Sequence, residues 1–559
     1  MSKRTKKIML NKNILKKAII IIAILIIALI AAIIIGNNIT EKQPEGTNLI
    51  INNNNVTTRL KQPLIVEDNV VYIAMEDVEN FFDKYIYQDD ETGKIVTTYE
   101  KKVASLEVGN KTIEINGSEQ EMYAAPREEN GTIYLPISEM SSVYNVEISY
   151  ITETNIVTMD SLDREQIKAY TTKDVKVSAK GRALFSGKVD NVEKGNWVVY
   201  ISTTDNGYAK VRTEDGKIGY IKEKYLTNFV TVREDMEEDQ QIEGKVNLVW
   251  DYFSEYATAP DRTGTTIDGV NVVSPSFFYI DEDGNFNENV GEEGIKYIEW
   301  AQSNGYKVWP MVANSGAGID TTSELINSYE ARQELIENIV NVCVEYNLDG
   351  INVDFENMYQ EDKDAYSRFI IELVPRMKEI GLVTSVDVTA PDGSETWSLC
   401  FDRNVIGDVA DYIIFMAYDQ YGTSSSEAGT TAGYNWVETS LKKFIETEEI
   451  ESQKIILGIP FYTRLWTEEN GEVTSKTVNM NSVDEVLPDD VERNWDDTLK
   501  QYYVEYTEGN AIKKMWIEDL ESIKEKVSLV SQYDLGGVAS WEMDRESEGT
   551  WEIIKEALQ

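Results

Sequence analysis

The sequence predicts a multidomain chain whose largest part is a C-terminal (β/α)8 barrel, preceded by a small β-rich barrel, an α+β domain and an N-terminal transmembrane helix. Three observations carry this. Eight short apolar runs alternate with helical stretches across residues 245–559, the pattern that βαβ units impose, over a length suited to one such barrel. An unbroken run of Ala, Ile and Leu fills residues 18–35. Between these lie two regions of short strands punctuated by Gly, Asn and Asp turns, and one of them carries an internal repeat.

The N-terminal run comes first. As a helix rising about 1.5 Å per residue it spans roughly 27 Å, near the hydrocarbon thickness of a bilayer. Lys3, Arg4, Lys6, Lys7, Lys12, Lys16 and Lys17 precede it, with no acid among residues 1–17. The positive-inside rule then keeps 1–17 cytoplasmic and puts the rest outside, as a single-pass membrane protein with 18–36 as its anchor. A cleaved signal peptide is the competing reading. Its apolar region is normally about 7–15 residues with an A-x-A-like site, whereas this run is longer and ends in Ile33-Ile34-Ile35-Gly36-Asn37.

Composition excludes several chemistries. The 559 residues include no His and two Cys. That removes Ser-His-Asp triads, Cys-His pairs, His-ligated zinc and four-thiolate metal sites. Acid–base work near neutral pH falls to carboxylates or Tyr. No metal and no organic cofactor is implied. The formal net charge is −45, and such a surface repels phosphate backbones, so nucleic acid is not an expected partner. Cys343 sits in a helix-like apolar run, which favours two separate buried thiols, Cys343 and Cys400, over a disulfide.

Residues 37–62 are polar and Asn-rich and read as a spacer. Residues 63–160 repeat at an offset of 62: Val71-Tyr72-Ile73-Ala74-Met75-Glu76-Asp77-Val78 aligns with Ile133-Tyr134-Leu135-Pro136-Ile137-Ser138-Glu139-Met140. Each copy runs on to a turn and a strand, Ile95-Val96-Thr97 and Ile156-Val157-Thr158. The segment resembles the stalk-type domain named for the copper amine oxidase N-terminus, and with no His it offers copper nothing. Residues 171–230 carry hairpin signals, Gly207-Tyr208-Ala209-Lys210-Val211 and Asp215-Gly216-Lys217-Ile218-Gly219-Tyr220-Ile221. They resemble a bacterial SH3 domain, which implies a cell-wall ligand or a spacer. Residues 231–244 include Glu234-Asp235-Met236-Glu237-Glu238-Asp239 and read as an acidic linker.

The barrel strands are expected at Val246–Trp250, Val270–Ser274, Lys307–Val312, Gly350–Phe355, Thr384–Val388, Tyr412–Ala417, Lys454–Ile459 and Gly537–Ser540. The fourth carries the chemistry: Leu348-Asp349-Gly350-Ile351-Asn352-Val353-Asp354-Phe355-Glu356. Alternate strand residues share a face. Ile351, Val353 and Phe355 would pack outward against helices, and Asn352, Asp354 and Glu356 would point into the barrel. Buried polar groups there are costly unless hydrogen-bonded or working. Glu356 falls at the strand's C-terminal end, where such barrels build active sites. A satisfied structural carboxylate pair is the bland alternative. A calcium loop is another, although the spacing lacks the D-x-D-x-D-G order.

This segment resembles the D-G-x-D-x-D-x-E signature of glycoside hydrolase family 18, the chitinase-like enzymes, and most closely their spore-germination and cell-wall branch. Phe415-Met416-Ala417-Tyr418-Asp419, Gly458-Ile459-Pro460-Phe461-Tyr462 and Gly536-Gly537-Val538-Ala539-Ser540-Trp541 resemble the family's later strand motifs, and Trp516 through Tyr533 its last helix before the final strand. The resemblance implies a glycosidase with Glu356 as general acid and base and with Asp354 and Tyr418 as its catalytic partners. Asn352, Met416, Asp419 and Trp541 would line the sugar site, with Trp541 as its floor. Asn352 departs from the usual family pattern, which has Asp there, although the spore-germination and cell-wall branch often carries Asn, and this puts the protonation of Asp354 in question. The implied substrate is an N-acetylated glycan, peptidoglycan or chitin. A non-catalytic glycan-binding protein is the alternative from another class, though such relatives typically lose the terminal Glu.

Overall fold

The computed structural model describes residues 12–40, 42–234, 242 and 244–559. Most of the expected basic segment and much of the expected acidic linker (235–241 and 243) lie outside the described residues. The chain divides into two compact units, broadly the residues before and after 239.

In the first unit, one helix covers Lys12–Asn38. Its stretch Lys16–Asn38 is long and apolar enough to cross a membrane, and Ile and Leu side chains along it are exposed. The next segment corrects the expectation of a spacer over 37–62. Asn48–Ile51 is a strand paired in parallel with Ile156–Ser161, with Leu49 and Ile50 fully buried. The short apolar run inside the Asn-rich stretch outweighs its polar neighbours, because burying two such side chains stabilises by about 3–6 kcal/mol. The two copies of the repeat pair with each other: Val70–Ala74 runs antiparallel to Thr132–Leu135, with Ile73 opposite Leu135. Those two residues are equivalent in the repeat, so the copies are related by a local two-fold axis through this pair.

The strand Gln166–Thr171 lies between Trp197–Thr203 and Leu226–Arg233 in a five-stranded antiparallel sheet. The β-rich region therefore begins before 171 and runs past 230. The expected hairpin pairs Tyr208–Thr213 with Ile218–Lys222. Gly216, in its turn, has φ +78°, a conformation that glycine adopts without strain.

In the second unit, eight parallel strands close into a barrel, and each lies within a residue or two of its expected place. They are β1 (Val246–Asp251), β2 (Val272–Pro275), β3 (Lys307–Val308 continuing as Met311–Ala313), β4 (Gly350–Asp354), β5 (Val383–Val388), β6 (Tyr412–Met416), β7 (Ile455–Pro460) and β8 (Gly537–Trp541). Closure is made where β8 pairs with both β7 and β1. Helices follow most strands, among them Tyr329–Glu345, Lys363–Glu379, Tyr434–Glu446 and Leu520–Gln532. The outward strand residues and these helices form one apolar shell. Trp250, Trp309, Met311, Ile414 and Ile456 belong to a second core, with Val246 and Leu248 from alternate positions of β1. Cys343 and Cys400 are both buried and unbonded.

Between β7 and the helix Leu520–Gln532 the chain inserts a five-stranded antiparallel sheet running from Tyr462 to Ile517. Trp516 and Ile517 are its last residues, so they are strand and not part of the expected helix. Gly350, on β4, is fixed by packing. A Cβ there would lie 2.7 Å from the Trp309 ring and 2.8 Å from the Val383 carbonyl oxygen. Gly350→Ala is therefore expected to cost about 1–3 kcal/mol, measured by urea unfolding; an unchanged midpoint would mean that the Trp309 ring shifts freely.

Candidate active site

The alternation on β4 is realised. Ile351, Val353 and Phe355 are fully buried in the outer apolar shell, which leaves Asn352, Asp354 and Glu356 on the barrel side. Tyr418, Asp419 and Trp541 lie at the same C-terminal end of the barrel, at or just beyond the ends of β6 and β8.

Asn352 is completely buried and its amide is fully committed. The Trp250 indole Nε1 donates to Oδ1 at 2.7 Å, and Ser274 Oγ lies 3.4 Å from the same oxygen. Nδ2 donates to Asp387 Oδ1 at 2.7 Å and to Ser385 Oγ at 3.2 Å. Because an indole N–H only donates, the orientation of the amide follows from its partners.

Asp354 has a buried Oδ1 with no hydrogen-bond partner. Burial pushes its carboxyl up to about 7. Burial, then the charges of Asp354 and Asp419, hold the Glu356 carboxyl well above the ordinary range. That is the condition a general acid needs at neutral pH. The Glu356 backbone is clamped by Asn314, just past β3: its N–H donates to Asn314 Oδ1 at 2.9 Å, and Asn314 Nδ2 donates to the Glu356 carbonyl at 2.9 Å.

Tyr418 sits edge-on to Tyr462, with ring centroids 6.3 Å apart. Burial and then the Asp387 charge raise its phenol well above the ordinary value, so it is a neutral donor. Asp419 adopts φ +54° and accepts hydrogen bonds from Tyr462 Oη at 2.8 Å and Arg464 Nη2 at 3.0 Å. Met416 is buried at the end of β6. Trp541 is half-buried and packs on Trp250 and Tyr252, with centroids 5.7 and 5.9 Å away.

The structure adds residues that the sequence reading did not single out. Asp387 on β5 is buried, and burial followed by the Asp354 charge pushes its carboxyl well up. Its signal was available: it is an acid at an inward position of a strand otherwise made of Val, Thr and Ser. Asn314 and Arg464 carried no such signal, since the site residues they bond, Glu356 and Asp419, lie 42 and 45 residues away in sequence, whereas Tyr462, which bonds Asp419, closes the Gly458–Tyr462 motif already noted.

A family model described as glycosyl hydrolases family 18 matches residues 249–546, more than half of the chain. The chain belongs to glycosyl hydrolase family 18. It is a glycosidase. Among curated relatives, the uncharacterized glycosylase YvbX of Bacillus subtilis (strain 168) is 25% identical over 302 residues, 52% of this chain and 85% of that protein. The cortical fragment-lytic enzyme of Bacillus anthracis is 23% identical over 252 residues, 44% of this chain and 58% of that protein. The match thus spans little more than half of the latter's length. The spore cortex-lytic enzyme SleL of Bacillus megaterium QM B1551 shares the fold, with TM-score 0.50 and 21% identity over 59% of this chain and 77% of that one.

A second model, the copper amine oxidase N-terminal domain, matches residues 50–159. It begins inside the segment expected as spacer, at the buried strand Asn48–Ile51. The residues do not fit copper: the chain has no His, and among the described residues no cluster of Cys, Asp or Glu is placed to hold a metal ion.

Proposed function

We propose that this family 18 glycosidase is membrane-anchored and wall-facing. In this reading it cleaves N-acetylhexosamine linkages, chiefly in peptidoglycan glycan strands, by retaining, substrate-assisted catalysis. The observation that carries the reading is the place of the Glu356 carboxyl, half-buried at the C-terminal end of the barrel, where burial and the neighbouring Asp354 charge hold it above its ordinary range. The helix Lys16–Asn38 supports the anchor. The two β-rich N-terminal modules then act as spacers, and the SH3-like one as a site for a wall ligand.

Glu356 gives its proton to the glycosidic oxygen as the bond to the anomeric carbon breaks. The substrate's own acetamido oxygen closes on that carbon, so the enzyme needs no nucleophile; family 18 is an exception to the two-carboxylate scheme for this reason. Asp354 accepts the acetamido N–H and faces the cationic intermediate. Tyr418 donates to the acetamido oxygen and holds it in line. Glu356, now a carboxylate, takes a proton from the water that opens the ring. Trp541 is the floor for the sugar, and Met416 fills the wall. Asn352 and Asp419 hold the site's shape through the hydrogen bonds above.

The test is a digestion by the full chain in detergent. Purified peptidoglycan and chitin oligomers are incubated separately, and new reducing ends are identified by mass spectrometry after borohydride reduction. Reduced N-acetylglucosamine from peptidoglycan is the expected product. Products from chitin oligomers alone would make it a chitinase. Binding of either glycan without any product would make it a lectin.

A further inference from the structure

The amide of Asn352 has nothing left to offer its neighbour. Both Nδ2 hydrogens are spent, on Asp387 Oδ1 at 2.7 Å and on Ser385 Oγ at 3.2 Å. Oδ1 is taken by the Trp250 indole. Asp354, two residues on, keeps a buried Oδ1 with no partner. The pairing of β4 with β5 sets Asn352 beside Ser385 and Val353 beside Val386. The next inward pair in that register is Asp354 and Asp387. Two buried carboxyls on adjacent strands, with no cation among the groups acting on either, do not both ionise.

We propose that Asp387 is a positioning residue which, jointly with Asp354, holds one buried proton that Asn352 is unable to supply. This rests on the family 18 reading given above. With the proton on Asp387, Asp354 is the ionised member facing the substrate's acetamido group and Glu356. The pair neither gains nor loses a proton in turnover. Glu356 alone passes its proton to the leaving oxygen and recovers one from water. The groups acting on Asp387 are Asp354 and Asn352 on β4, Glu356 beyond it, Tyr366 on the helix Lys363–Glu379 and Tyr418 after β6. Of these only the carboxyls have ordinary values below neutrality that burial raises, so a pH profile reports on them.

The experiment compares the full chain with Asp387→Asn and with the exchange variant Asn352→Asp/Asp387→Asn. Two readouts are used: the pH dependence of kcat on a 4-methylumbelliferyl N-acetylchitooligosaccharide, and the pH dependence of thermal unfolding. A carboxyl whose pKa is raised in the folded state binds a proton on folding. Its contribution is full below the ordinary carboxylate range and is lost as pH rises. The wild-type chain should therefore lose stability between pH 5 and 8, and Asp387→Asn should remove about one proton's worth of that slope. Its kcat should fall at least tenfold, with the pH limb moved by about one unit and KM little changed. The exchange variant, which returns a carboxyl next to Asp354, should recover most of kcat and the proton slope. If Asp387→Asn does not fold, the exchange variant decides in the same way. An unchanged profile and slope in Asp387→Asn, or an inactive exchange variant without the proton slope, overturns the proposal. A wild-type chain that is inactive yet shows the slope, with its loss in Asp387→Asn, overturns the functional reading and leaves the shared proton standing.

Discussion

Glu356→Gln is expected to lower kcat by about 10²–10⁴-fold, towards the upper end because the same group serves both steps of the reaction. The amide keeps the size and the hydrogen-bonding reach of the carboxyl but carries no transferable proton. The clamp by Asn314 acts on the Glu356 backbone and is untouched, so the loop keeps its position. The three groups that would hold the acetamido arm and the sugar, namely Asp354, Tyr418 and Trp541, are also unchanged, and KM should stay within a few-fold. The variant further removes a titrating group that stands beside Asp354 and Asp419. Any residual rate should therefore lose the pH limb that Glu356 sets. The check is a kcat and KM pair across pH 5–8 on the same fluorogenic chitooligosaccharide. A rate within threefold of wild type would assign the acid elsewhere, with Asp354 the next carboxyl to test.

What the sequence made legible was local. Eight apolar runs of strand length and the two-residue spacing of Asn352, Asp354 and Glu356 needed only the strand period to be placed in the barrel. The local two-fold pairing of Ile73 with Leu135 follows from a repeat visible by eye. What stayed hidden was either non-local or disguised by composition. Leu49 and Ile50 were masked by the Asn residues around them, though they are buried against a strand more than 100 residues away. One strand of the inserted sheet, Glu472–Asn479, is largely solvated and rich in Thr, Ser, Glu and Lys, and no apolar alternation marked it as a strand. Asp387 was passed over because one acid in a short strand reads as a surface residue until its neighbour is known to be Asn352.

The largest stability effect is expected from Lys526→Met, on the helix Leu520–Gln532 that precedes β8. Lys526 and Glu518 are both fully buried, with Nζ 2.9 Å from Oε2 and 3.1 Å from Oε1. Glu518 also accepts from Ser522 Oγ and from Gln501 Nε2, and Gln501 Oε1 accepts from Thr430 Oγ1. Gln501 opens a strand of the insertion, Lys526 lies on the helix before β8, and Thr430 precedes the helix Tyr434–Glu446. This one network therefore ties the insertion to the barrel. Burial already holds the Glu518 carboxyl above its ordinary value against the lowering pull of Lys526. Without the cation it is a buried, unpaired carboxylate, a defect of about 3–5 kcal/mol, or a fall in Tm on the order of 10 °C. The sign with pH follows from the raised pKa. The single variant is least impaired at pH 5, where Glu518 takes up a proton, and worst at pH 8, where it must ionise or unfold. Adding Glu518→Gln removes the charge that was stranded, so the double variant should be the more stable of the two at pH 8. Met keeps most of the Lys stem, so lost packing alone predicts a pH-independent deficit that Glu518→Gln does not relieve. Thermal unfolding of the three proteins at both pH values separates these outcomes, and a single-variant loss that is equal at pH 5 and pH 8 would mean that packing, not the ion pair, is what Lys526 contributes.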